Sequence, residues 1–211
     1  MDGHALELTR RSLHAVAEYL LAGPQWEASR DIRLRAVPGG FATVAQPDVR
    51  VVGAALVAGG QEHPLRGTVA DVAALAGLTP RDLREVYADG PTLRMDEPLH
   101  VDPAAAEALA EAFGRADTAL RAFAPAETPV LWPEHFDIGV TVAEVNYGVS
   151  PGDRHVPEPY GYVGPWQPRL GEFWSMPFGA VVLMSSLPDA DALTAFFHRG
   201  AEHAEKDPKA S

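Results

Sequence analysis

His135-Phe136-Asp137-Ile138-Gly139-Val140-Thr141-Val142 alternates apolar with polar or small residues over its whole length. In a strand over 134–142, successive side chains point to opposite faces. Phe136, Ile138, Val140 and Val142 then form an apolar face toward a core, and His135, Asp137, Gly139 and Thr141 share the other. Two residues so spaced on one strand face stand about 7 Å apart at their Cα atoms. An imidazole and a carboxylate at that spacing can share a proton, a water or a metal ion. Glu144, on the following strand or turn, is placed to join them.

Downstream, Asn146 to Val149 reads as a second strand, and Ser150-Pro151-Gly152-Asp153 has the composition of a β-turn. Such a turn aims Asp153 and His155 back at the strand before it. Glu158, Tyr160, Tyr162 and Trp166 follow, and Phe173-Trp174 with the apolar run from Phe178 to Met184 closes the sheet. A last helix from Asp189 to about Glu205 turns Leu193, Phe196 and Phe197 inward, and residues 207–211 are expected to be a flexible tail.

Upstream, apolar residues at three- and four-residue spacing predict a helix over about 5–22, stopped by Gly23-Pro24. Ile32 to Val37 alternates as a strand, Pro38-Gly39-Gly40 makes the turn, and Phe41 to Val44 returns. Thr68 caps a helix that ends at Gly77, and Thr79-Pro80 opens another. Asp102-Pro103 caps a long helix to about Phe123. These elements predict an α+β fold: antiparallel sheets packed with N-terminal, central and C-terminal helices. The Pro-containing stretch 124–129 suggests a boundary between subdomains 1–125 and 126–206, which also read as one continuous domain.

The chain has 211 residues and a formal net charge of −12, and it contains no cysteine. Disulfides, thiolate metal sites and a cysteine nucleophile are thereby excluded. The acidic surface disfavours nucleic acid as a partner. No apolar run reaches the roughly 18–20 residues of a membrane span, and the N-terminus lacks the order of a signal peptide. A cytoplasmic location is the expectation.

Three chemistries compete for the polar–aromatic stretch. His135, Asp137 and His155 are candidate ligands of a divalent metal, since two imidazoles and a carboxylate suit zinc, manganese or non-haem iron. His135, Asp137 and Glu158 are candidates for general acid–base catalysis. Asn146, Asp153, Tyr160, Trp166 and Trp174 are candidates for binding a small molecule in a cleft. Against these stands a structural reading, in which the same residues only pack and turn the chain. A second alternative is a DNA-binding regulator with a helix-turn-helix at 68–88. Its recognition helix would carry Asp82, Glu85 and Asp89 against two arginines, which phosphate neutralisation opposes. The favoured reading is small-molecule binding or catalysis at a polar–aromatic cleft around His135 and Asp137.

The blocks Leu131 to Asp137 (LWPEHFD), Asn146 to Asp153 (NYGVSPGD), Glu158 to Trp166 (EPYGYVGPW) and Phe173 to Gly179 (FWSMPFG) resemble those of a family of conserved hypothetical proteins of actinobacteria. The resemblance extends to the Pro38–Phe41 turn and the Thr68 segment, and so covers most of the chain. It implies shared residues and no activity, cofactor or substrate.

Overall fold

The computed structural model describes residues 2–210, and the fold is α+β, with every strand pairing antiparallel. The chain divides into two compact units. Unit 1 is Met1–Gly114 with Leu131–Phe136, and unit 2 is Arg115–Val130 with Asp137–Ser211. This differs from the boundary expected at 125. The division falls inside a helix, α4 (Pro103–Phe123), whose uninterrupted apolar stripe conceals it.

In unit 1, α1 (Gly3–Val16) passes into a six-residue π-helical stretch (Ala17–Ala22) and on into α2 (Gly23–Ser29). Gly23-Pro24 therefore does not stop the helix; it widens it. Proline offers no N–H to the carbonyl four residues back, and an i→i+5 pattern hands such carbonyls to later donors. The Gly23 N–H accordingly reaches the Glu18 carbonyl. All six residues of the wide turn are buried. Gln25 is buried too and fully partnered. Its amide nitrogen donates to the Asp31 and Arg33 carbonyls, and its oxygen accepts from the Val44 and Ala45 N–H groups, all within 2.8 Å.

Those bonds tie α2 to the sheet of unit 1. Its strands are β1 (Leu34–Val37), β2 (Gly40–Thr43), β3 (Val49–Val52), β4 (Ala55–Ala58), β5 (Gln61–Pro64) and β6 (Val130–Trp132), in the order β6-β1-β2-β3-β4-β5. β3 shows the cleanest alternation, Val49 and Val51 inward and Arg50 and Val52 outward. β6 joins across the Leu34–Leu131 pair.

α3 (Val69–Ala76) has the expected ends. Thr68 and Asp71 form a capping box, and Gly77 closes the helix in the left-handed conformation. The second helix expected over 80–88 does not form; only a single turn occurs at 83–87. Its N–H groups are claimed by the π-helical stretch instead. Arg81 N–H donates to the Tyr19 carbonyl (3.0 Å) and Leu83 N–H to the Glu18 carboxylate (3.3 Å). Gly23 lets this strap approach, because a Cβ there would lie 2.4 Å from the Arg81 carbonyl oxygen. The helix-turn-helix reading thus loses its recognition helix.

Unit 2 is a four-stranded meander, β7 (Asp137–Val142), β8 (Val145–Ser150), β9 (Tyr160–Pro165) and β10 (Ala180–Leu183), in the order β10-β9-β8-β7. One face packs on α5 (Ala190–Lys206), whose Leu193, Phe196 and Phe197 are buried as the sequence predicts. Two glycines let helix and sheet close. A Cβ on Gly200 would lie 2.5 Å from Val163, and one on Gly161 would lie 2.8 Å from Leu193. Of the tail expected over 207–211, Ser211 lies outside the described residues and 207–210 is tied down: Leu170 N–H donates to the Pro208 carbonyl and Ala210 N–H to that of Pro168. No helix among the described residues is long and apolar enough to cross a membrane.

Candidate functional site

β7 begins at Asp137, three residues later than the strand expected over 134–142. Phe136 takes a left-handed backbone (φ 55°), which breaks the face-sharing expected of His135 and Asp137. The Phe136 ring fills the core of unit 1. It stacks on His14 (5.5 Å, 8°) and meets Phe41 and Phe113 edge-on at 5.3 Å each. His14, on α1, bonds through Nε2 to the Pro133 carbonyl at 2.8 Å, and only the imidazole can donate in that pair. Burial lowers its pKa to about 4, so the ring is neutral near pH 7. Anchored by these two rings, the turn presents Glu134 and His135 outward.

There they meet Asp89 of the strap. His135 Nε2 lies 3.7 Å from Asp89 Oδ2 and 3.8 Å from Glu134 Oε1. Ligand atoms of all three lie within 4.8 Å of one another, and no other group of three or more His, Asp or Glu among the described residues is so close. His135 and Asp89 are exposed, with side-chain exposures of 59% and 76%. The expected metal set of His135, Asp137 and His155 is therefore not the one the fold assembles.

Near this trio, through Tyr87, lies a buried carboxylate whose pKa is raised. Glu18 is only 2% exposed, and burial raises its pKa above the ordinary value. Its two oxygens accept from Tyr87 Oη (2.8 Å) and Leu83 N–H. Burial first, then the charge of Glu18, pushes the Tyr87 phenol far up, and Glu134 adds to that field. Residue 90 closes the neighbourhood, since a Cβ on Gly90 would lie 2.9 Å from Glu18 Oε2. Tyr87 thus bonds the buried carboxylate and lies within the field of Glu134, one member of the trio. Sequence reasoning missed Glu18 and Tyr87. The available signal was a lone carboxylate inside the apolar run Ala15 to Ala22.

The remaining candidates fall in unit 2. Asp137, Asn146 and Tyr160 share the sheet face opposite α5, by the pairing of Gly139 with Gly148 and of Gly148 with Tyr162. Asp137 accepts a short hydrogen bond from Tyr162 Oη, and Asp153 accepts one from Tyr160 Oη at 2.7 Å. The two tyrosine rings meet edge-on with centroids 6.4 Å apart, so an aromatic contact joins the Asp137–Tyr162 pair to the Asp153–Tyr160 pair. The turn brings Asp153 onto Tyr160 of β9, the strand after it, whereas the sequence points Asp153 and His155 at the strand before. Burial and the adjacent carboxylates raise both phenols, while Asp153 is lowered overall, its burial outweighed by bonds from Tyr160 and the Val156 and His155 N–H groups. His155 and Glu158 are exposed and find other partners, Arg154 Nε at 3.1 Å and Ser185 Oγ at 3.3 Å. Trp174 belongs to the end of α5, where its Nε1 and the Nδ1 of His203 both bond Asp207 Oδ2. Trp166 is 65% exposed beside Asn146.

The candidates therefore separate into a titratable cluster around His135 in unit 1 and a polar–aromatic sheet face in unit 2. Comparison with protein-family models, curated proteins and solved structures finds no match to this chain.

Proposed function

We propose that the chain binds a divalent cation through Asp89, Glu134 and His135, and through it a small polar molecule, at the polar edge of unit 1. The observation that carries this reading is the mutual approach of the three ligand atoms within 4.8 Å. Two carboxylates and an imidazole suit zinc, manganese or ferrous iron and leave coordination positions open to a ligand. A net charge of −12 favours cation capture. The adjoining Glu18–Tyr87 pair supports a catalytic extension, because strongly perturbed ionisable groups collect at functional sites. A carboxylate held above its usual range is suited to exchange a proton with a bound molecule nearer neutral pH.

The test is titration of the protein with Mn²⁺ and Zn²⁺, wild type beside Asp89→Asn and His135→Ala, followed calorimetrically. One saturable site is expected, weakened at least ~10-fold by either substitution. Binding that both variants retain unchanged, or none in the wild type, would overturn the proposal.

A further inference from the structure

A second site is built at the β7–β8 hairpin tip of unit 2. Trp166 is the most exposed aromatic side chain described, yet it is held at two points. Its main-chain N–H donates to the Glu144 carbonyl at 2.9 Å, and its indole N–H donates to Asn146 Oδ1 at 3.2 Å. The same oxygen accepts from Thr141 Oγ1 at 2.8 Å. An indole can only donate, so the amide orientation follows: the Asn146 oxygen faces Trp166 and its NH₂ group points elsewhere. That NH₂ has no hydrogen-bond partner among the described residues.

The turn that positions these groups is strained. Ala143 and Glu144 both take left-handed backbones (φ 50° and 62°), where a two-residue hairpin turn ordinarily uses Asn-Gly. Strain kept at a surface turn points to a function for its geometry. Here it sets the Glu144 carbonyl against Trp166 and Asn146 beside the ring.

We infer that this tip binds saccharide, stacking a pyranose ring on the fixed indole face of Trp166. The apolar C–H face of a sugar matches an aromatic plane, and its rim of hydroxyls matches the Asn146 NH₂ donors and the Thr141 oxygen. A flat aromatic ligand would stack but leave those polar groups unused. The net negative charge of the chain opposes an anion, and a quaternary ammonium calls for a cage of several rings. One open stacking face implies weak binding to a chain of sugars rather than capture of a buried monosaccharide.

The inference is independent of the cation site and is tested apart from it. The indole N–H signal of Trp166 is followed by ¹H–¹⁵N NMR during titration with gluco-, manno- and galacto-configured tetrasaccharides, and with tetramethylammonium. A saturable shift with at least one saccharide is expected, with a dissociation constant in the millimolar range. It should weaken several-fold in Asn146→Ala and persist in His135→Ala. In Trp166→Ala, whose fold is checked by its melting curve, other reporters at the tip should no longer respond. A Trp166 signal unmoved by all three saccharides, one moved by tetramethylammonium alone, or binding that survives Trp166→Ala overturns the inference.

Discussion

Tyr87 gives its hydroxyl hydrogen to Glu18 across 69 residues of sequence, and the carboxylate that receives it is nearly sealed from water. Neither residue could be left alone there. A buried carboxylate without donors is costly, and a buried phenol without an acceptor forfeits its hydrogen bond. Tyr87→Phe is therefore expected to cost about 1–3 kcal/mol, the range for stranding a buried polar partner. Urea unfolding of Tyr87→Phe, Glu18→Gln and the double variant measures it. Strict additivity of the two single effects would contradict the coupling.

His14 makes stability depend on pH. Its folded pKa is about 4 against an ordinary 6.5. The unfolded chain therefore takes up this proton first as pH falls, and stability declines between about 6.5 and 4. The full shift is worth about 3 kcal/mol. Glu18 acts with the opposite sign, since its raised pKa makes the folded state bind the proton more tightly than the unfolded chain. Its contribution grows as pH falls through the raised value and is complete below the ordinary one. Denaturation midpoints measured from pH 4 to 8 should show a slope that flattens in His14→Gln and steepens in Glu18→Gln. A His14→Gln profile parallel to wild type would refute the first assignment.

Gly148 is required by Tyr162. The phenol lies across it, so a Cβ at 148 would sit 2.5 Å from Tyr162 Oη and 2.4 Å from the Ile138 carbonyl oxygen. Gly148→Ala should force the ring off Asp137 and cost about 1–3 kcal/mol. Thermal melting reads the loss, and the tyrosine absorbance difference reads the displaced phenol. Tyr162→Phe should lose the short bond while keeping the ring over the glycine.

The strained hairpin predicts a gain. Replacing Ala143-Glu144 by Asn-Gly supplies the residues that favour this turn, and relief of two left-handed non-glycine residues is expected to stabilise the chain by about 1 kcal/mol. Differential scanning calorimetry should record a higher midpoint. An unchanged or lower one would show that the turn is not strained.

Gln25 makes four bonds to main-chain groups, and shape cannot replace them. Gln25→Met should exceed about 3 kcal/mol in cost, since four partners lose their bonds together. Chemical denaturation decides it, and Gln25→Glu should fare little better, because a carboxylate cannot donate to the Asp31 and Arg33 carbonyls.

These cases mark what could be read in advance. The caps at Thr68 and Asp102 and the inward residues of α5 depend on near neighbours, and they were legible. So was the alternation of Ile138, Val140 and Thr141. The strap at 80–93 was not, because Pro80 and the following residues carry helix signals that Glu18 and Tyr19 override from sixty residues away. His135 and Asp137 looked paired by spacing alone, and a single left-handed residue between them undid it. Glu18 met Tyr87 by tertiary packing, for which periodicity has no signature.

The widened turn at Ala17–Ala22 joins two halves of one helix. Each residue of a regular α-helix advances about 100° around its axis, and a π-turn absorbs one residue more than an α-turn. Deleting one residue from this turn would return it to the α pattern and leave His14 and Gln25 close to their present phase. What would change lies inside the turn, where the Glu18 carboxylate meets the Leu83 N–H and the Tyr19 carbonyl meets the Arg81 N–H. The extra residue therefore serves the strap and not the ends of the helix.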